Sequence, residues 1–213
     1  MSVINTLDDL KSAITQLQEI DPRLVKVVDA VGIPPLRRRP DGFDSLVDII
    51  VGQQVSRASA DAIMARMRKG LGSFTPEAFQ AFSDETFAAQ GLSKPKIRTF
   101  RALSETLCNG DLELPRLRDL TDEDVAAELT KVKGIGPWTA EVYLLACLGR
   151  ADIWPAGDIA LQAGVQMICD LEARPTADES REIAKLWHPW RSVAARLAWA
   201  YYARTKKTKI PVS

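Results

Sequence analysis

Val132-Lys133-Gly134-Ile135-Gly136-Pro137-Trp138-Thr139-Ala140, followed further on by Pro155-Ala156-Gly157-Asp158, is the stretch from which the rest of the chain is read. Gly134 and Gly136 stand between two apolar helical runs. Glycine tolerates positive φ and close backbone approach, which a tight hairpin of exposed N–H groups requires. Pro137 then opens the second helix at a position where its missing donor costs nothing. The N-terminus of that helix carries partial positive charge, so the hairpin is a candidate seat for a phosphate. Asp158 precedes a further apolar helix, where it is a natural N-cap and places a carboxylate beyond the hairpin.

Working outward, helix signals recur and alternating strand patterns are hard to find. On the N-terminal side, Thr6-Leu7-Asp8-Asp9 and Asp21-Pro22 start helices, and Gly32 to Pro35 forces a break. Phe43, Leu46, Ile49 and Ile50 form an apolar stripe ending at Gly52, and Ser56 restarts a helix that runs to Gly70. Thr75, Ser83 and Lys94 open three more, the last ending near Asn109-Gly110, and Thr121 caps the helix entering the hairpin. Beyond the hairpin, helices are predicted to Leu148, from about Asp158 to Asp170, from about Thr176 to Trp187, and from Pro189 to about Arg204. Roughly ten helices without a fixed repeat predict an all-α fold. The segment Asn109–Leu120 is the expected crossing between two lobes, 36–110 and 111–205, with a cleft between them and residues 1–35 packing on either.

The 213 residues are 46% hydrophobic and 26% charged, an ordinary globular balance. Lysine plus arginine and aspartate plus glutamate number 28 each, so a polyanion must be met by local patches rather than by a basic body. Three clusters offer themselves: Arg37 to Arg39; Lys94, Lys96, Arg98 and Arg101; and Arg204, Lys206, Lys207 and Lys209. Each reads equally as a solvated face. Cys108, Cys147 and Cys169 are far apart and odd in number, which argues against disulfides and iron–sulfur ligation and for buried, reduced thiols. No stretch approaches a membrane span and no leader pattern is seen, so the expected setting is cytoplasmic, and nucleoid-associated in a bacterium.

His188 is the only histidine, so Ser–His–Asp and Cys–His schemes have no support unless that residue serves; between Trp187 and Pro189 it reads as a capping or packing group. Zinc spacing and the P-loop lysine are absent. These exclusions leave a carboxylate as the best catalytic group. Asp158, fixed at a helix N-terminus, is suited to opposing a developing positive charge.

Leu129 through Gln162 resembles the helix-hairpin-helix followed by Gly/Pro and Asp of the helix-hairpin-helix DNA glycosylase superfamily, and within it the alkylpurine (3-methyladenine type II) branch. Phe43 to Leu46 leading to Ile50-Val51-Gly52-Gln53-Gln54-Val55-Ser56 is similar to the family's first-lobe signature, Gly91-Leu92-Ser93 with Lys96 to its next turn, and Pro189 to Ser192 with the Trp199 helix to its C-terminal segment. The resemblance covers about residues 36 to 205.

It implies a monomeric glycosylase that acts on damaged double-stranded DNA. An alkylated purine is flipped into the cleft, and Asp158 faces its sugar. Trp138 and Trp199 line the base pocket, where their faces attract a cationic base. Gln54 fills the gap left in the duplex, supported by Gln53, Val55 and Ser56. Gly134, Ile135, Gly136 and Thr139 bind phosphate. No cofactor is required, but carbonyls of Thr130, Val132 and Ile135 are expected to hold a structural monovalent cation, Na⁺ or K⁺. Relatives that also cleave the strand place a Schiff-base lysine where Trp138 stands, so hydrolysis without lyase activity is expected. Val142 and Ile159 match positions often aromatic in relatives, which implies a less aromatic pocket. A different base lesion and a non-catalytic DNA-binding module remain open as alternatives.

Overall fold

The structure is a computed structural model describing residues 2–208. Twelve α-helices are present among them: α1 (Leu7–Ile20), α2 (Arg23–Val31), α3 (Phe43–Gly52), α4 (Arg57–Leu71), α5 (Pro76–Ala81), α6 (Asp84–Ala89), α7 (Lys94–Cys108), α8 (Asp122–Thr130), α9 (Pro137–Tyr143), α10 (Ile159–Ile168), α11 (Ala177–Ala184) and α12 (Arg191–Thr208). Among the described residues there is no strand, only an isolated bridge pairing Val3 with Arg150. No helix there is long and apolar enough to cross a membrane.

Local sequence sets most helix starts. Thr6 and Thr176 form reciprocal capping boxes with Asp9 and Glu179, and Ser56, Thr75, Ser83, Thr121 and Asp158 each accept the backbone N–H of the third residue of their helices. Each such cap stabilises its helix by ~1 kcal/mol. These capped helices, of six to fifteen residues, are marginal alone, so their buried stripes supply most of the holding energy.

The chain divides into two compact units, one made of the segments up to Arg38 and from Gly149, the other of Arg39–Leu148. In the first, α12 packs against α1, α2 and α10, with Leu10, Leu17, Leu24, Val165 and Leu197 fully buried. The N-terminal segment is tied to the chain around Gly149 to Ala151 by backbone bonds, Ile4 N–H to Gly149 O at 2.8 Å and Ala151 N–H to Ser2 O at 3.0 Å. Buried Asp21 accepts from Trp187 Nε1 at 2.9 Å and from Arg23 Nε at 2.8 Å. In the second unit, Phe79 is fully buried against Phe43, Phe87 and Phe100, with ring centroids 4.9, 5.2 and 5.3 Å away. Arg101 donates to the carbonyls of Phe79, Gln80 and Phe82 and to Asp84, closing the end of α5.

Several expectations are corrected. The division falls at Arg38 and Leu148 rather than near Asn109–Leu120. Leu112, Leu114 and Leu117 of that expected crossing are buried, and Arg118 pairs with Asp41, so the segment is part of the second unit. Residues 1–35 belong with the C-terminal helices because of the backbone bonds just described. Cys108 is exposed, since it ends α7 beyond the stripe of Ile97, Phe100 and Leu103; Cys147 is buried and Cys169 half-buried.

Two of the three charge clusters also break up. Arg39 pairs with Asp48, Arg38 bonds Asn5, and both Arg37 and Arg38 stand near buried Arg196, whose pKa burial and these neighbours lower to about 10. Lys96 is buried and Arg101 committed to carbonyls, leaving Lys94 and Arg98 exposed. Lys209 lies outside the described residues.

Candidate active site

The hairpin between α8 and α9 depends on Gly134, whose φ of +94° is a left-handed value that side chains resist. A Cβ there would also lie 1.9 Å from Thr99 Oγ1 on α7, so the position needs glycine on two counts. Gly136 differs: its φ is −99° and nothing stands within 4 Å of the place a Cβ would take, so its bareness leaves room rather than relieving strain. Ile135 N–H donates to Val132 O at 3.0 Å and Thr139 N–H to Gly136 O at 3.0 Å. Of the four residues expected at a phosphate, Gly134 and Gly136 are therefore the ones whose amides stand outside these bonds. Thr139 is 1% exposed and its hydroxyl accepts from Gln53 Nε2 at 2.8 Å, which makes it an internal brace.

The same Gln53 nitrogen reaches Gly134 O at 3.2 Å, so the turn after α3 is fastened to the hairpin. Gln53 leaves helical geometry with ψ of 129°, and Gln54 follows with φ of +56°. A non-glycine residue in that region costs on the order of 1 kcal/mol or more, and such strain clusters at functional sites. The outcome is an exposed Gln54 with Val55, 39% exposed, beside it. Ser56 turns the chain back into helix by accepting Ser59 N–H at 3.1 Å, which is its capping role.

Asp158 lies in the other unit, at the N-cap of α10. Its Oδ1 accepts from Leu161 N–H at 2.8 Å and from Trp199 Nε1 at 3.1 Å. The preceding loop is fixed from both sides. Asp158 N–H donates to Pro155 O at 2.9 Å, and buried Gln162, one turn into α10, donates to Ala156 O at 2.8 Å. Trp154 at the loop's entrance is buried, bonded to Ser180 Oγ at 3.1 Å and packed on Trp187 at 5.2 Å between centroids. Trp199 reaches the carboxylate because α10 and α12 pack closely: a Cβ on Gly164 would come within 2.5 Å of the Ala198 carbonyl oxygen.

Trp199, expected in a base pocket, is thus bonded to the carboxylate. Half-buried Trp138 stands in the first turn of α9. Ile159, next to Asp158, is 62% exposed. His188 is exposed, with Nδ1 2.7 Å from Asp152 Oδ2, and Asp152 also takes a bidentate bond from Arg191. Among the described residues no histidine, cysteine and carboxylate cluster could hold a metal. The carbonyls of Thr130, Val132 and Ile135 sit where α8 ends, and Val132 O already accepts the Ile135 amide. Neutral oxygens of this kind suit a hard monovalent cation. Gln162 and Thr99 carry no local signal of a site role beyond being polar residues in an apolar helical register, whereas Lys96 reads from the sequence as part of a basic cluster and of the turn after Ser93.

Residues 47–189 match the model of the HhH-GPD superfamily base excision DNA repair proteins. The chain is 27% identical over 201 residues to DNA-3-methyladenine glycosylase 1 of Schizosaccharomyces pombe, covering 92% of this chain and 88% of that one. It is similar to the structure of S. pombe 3-methyladenine DNA glycosylase (Mag1) in complex with abasic DNA, with a TM-score of 0.84, 28% identity, and 94% and 98% of the two chains covered. Bacillus halodurans DNA-3-methyladenine glycosidase gives a TM-score of 0.76 at 31% identity, with 92% and 91% covered. An 8-oxoguanine glycosylase/lyase of Clostridium acetobutylicum, at 19% identity and a TM-score of 0.78, shares the fold.

Proposed function

The chain belongs to the HhH-GPD superfamily of base excision DNA repair proteins, and on that premise we propose that it is a monofunctional DNA glycosylase for alkylated purines of the 3-methyladenine and 7-methylguanine type. The observation that carries the reading is Asp158, held through one oxygen by a helix N-terminal amide and an indole N–H. Breaking the N-glycosidic bond develops positive charge on the sugar, and a fixed carboxylate opposes that charge and orients or deprotonates the attacking water. Water supplies the hydroxyl on the sugar carbon, the base leaves with the bonding electron pair, and an abasic site remains.

Gly134 and Gly136 hold a phosphate of duplex DNA through their amides, and Gln54 takes the place of the extruded nucleotide. Extrusion costs a few kcal/mol and least for a damaged base, which adds selectivity. The face of Trp138 attracts a purine made cationic by alkylation, by ~0.5–2 kcal/mol. It carries no amine, so no Schiff base forms at that position and the strand is left intact. A monovalent cation at the Thr130, Val132 and Ile135 carbonyls would fix the end of α8 against the hairpin. The protein acts as a monomer.

The test incubates duplexes carrying 3-methyladenine, 7-methylguanine, hypoxanthine, uracil and 8-oxoguanine with the protein, and measures free base and borohydride-trapped covalent complex. Release of the two alkylated purines without trapping is expected. Trapping would contradict hydrolysis alone, and preferred release of another base would contradict the alkylpurine assignment.

A further inference from the structure

Lys96 is 8% exposed, yet among the described residues it pairs with no carboxylate; its Nζ donates to Val51 O at 2.6 Å. Lysines are almost never buried unless paired, and burial here pushes the pKa of Lys96 down. For packing alone, a methionine of similar length would serve at lower cost. Val51 is the penultimate residue of α3, where carbonyls lack partners within the helix and the helix dipole presents its negative end. The ammonium therefore acts as a side-chain cap on the last turn of α3. Two residues beyond Val51 the chain becomes the Gln53-Gln54 turn. Three residues along α7, Thr99 lies under Gly134, and Gln53 joins that hairpin to the turn. One face of the first two turns of α7 thus underlies both.

We propose that Lys96 is a positioning residue for Gln54: its buried ammonium caps α3 and fixes the turn that presents Gln54 to the gap in an opened duplex. The inference rests on the glycosylase reading given above. It assigns to Lys96 a part in extrusion and none in bond cleavage, since it acts at the foundation of the strained turn. Loss of the cap lets the last turn of α3 fray, and Gln54 then relaxes from its left-handed conformation.

The test uses the full chain and whichever lesion the unaltered protein releases, placed either opposite its normal partner or opposite an abasic analogue, where nothing must be unpaired. Lys96→Met should slow single-turnover release from the paired duplex by about tenfold, the scale of a lost share of the extrusion cost. Against the abasic analogue its rate should stay within about twofold of the unaltered protein, and Lys96→Arg should stay near normal on both. In a Gln54→Gly background, Lys96→Met should add no further loss. Equal losses on both duplexes, no loss on either, or an undiminished loss in the Gln54→Gly background would overturn the proposal. If the unaltered protein releases no base, the glycosylase reading has failed. Fluorescence of 2-aminopurine beside an abasic analogue then still reports Gln54 insertion, and Lys96→Met must reduce it. Circular dichroism checks folding; should Lys96→Met melt early, Lys96→Gln replaces it in every arm.

Discussion

Gly164 on α10 faces the backbone of Ala198 on α12, and replacing it with alanine perturbs the carboxylate from a distance. The added Cβ would lie 2.5 Å from Ala198 O and 2.8 Å from Ala198 C, and reaching ordinary contact at 3.4 Å requires the helices to part by roughly 0.9 Å. Backbone cannot swing aside as a side chain can. Trp199 is the next residue along α12 and Asp158 caps α10, so the same displacement stretches a 3.1 Å hydrogen bond beyond its working range. Alanine gains ~1 kcal/mol of helix propensity over glycine, against ~1–3 kcal/mol for overpacking and ~1.5–3 kcal/mol for a bond to a charged group. A net loss of about 1.5–5 kcal/mol lowers the melting temperature by roughly 3–20 °C in a chain of this size. Single-turnover base release should fall by on the order of 100-fold, the cost of an ångström of misplacement. Thermal melts and a release assay measure both, with Trp199→Phe as the companion that removes only the bond and should slow release while losing only that bond's share of stability, roughly 3–12 °C. A Gly164→Ala protein as stable and as fast as the unaltered one would refute the packing argument.

The hairpin glycines should part company: Gly134→Ala, strained at φ of +94° and blocked by Thr99, should be destabilised by ~2–4 kcal/mol in denaturant melts, while Gly136→Ala should be near neutral in stability and weaken DNA binding. Acid should unfold the unit containing Asp21 and Asp152. Burial alone would raise both carboxyls, but hydrogen bonds from Arg23 and Trp187 to Asp21, and from Arg191 and His188 to Asp152, hold them below the ordinary 3.8. A depressed folded pKa contributes stability that is present above the unfolded value and is lost as pH falls through the folded one. Melting temperature should therefore drop below about pH 4, and less steeply in Asp21→Asn, whose starting stability at pH 7 is already lower.

Local chemistry made much of this molecule legible. The caps at Thr6, Thr121 and Thr176 sit where side-chain oxygens and following acids placed them, Ser56 caps α4 by its oxygen alone, and Asp158 is the N-cap its neighbours predicted. What escaped was set by distant backbone. The bonds joining Ile4 to Gly149 carry no pattern in the sequence near either residue, so the N-terminal helices could not be assigned to a unit. Lys96 and Arg101 were read as a basic cluster because charge was counted without register; Lys96 stands four and seven residues before Phe100 and Leu103, on the apolar face. Thr139 beside a glycine hairpin suggested a phosphate ligand, whereas the partner that claims its hydroxyl, Gln53, is 86 residues away. Trp199 was matched as an aromatic surface, and only the approach of α10 to α12 directs its N–H at Asp158.

Asp158→Asn isolates the central claim, because asparagine caps helices as well as aspartate and its oxygen can still accept from Leu161 and Trp199. The decisive measurement is single-turnover release of 3-methyladenine or 7-methylguanine by this variant, alongside its affinity for the same duplex. Affinity should be unchanged while release falls by at least ~100-fold, the scale of losing a preorganised charge; release at the rate of the unaltered protein would contradict the account.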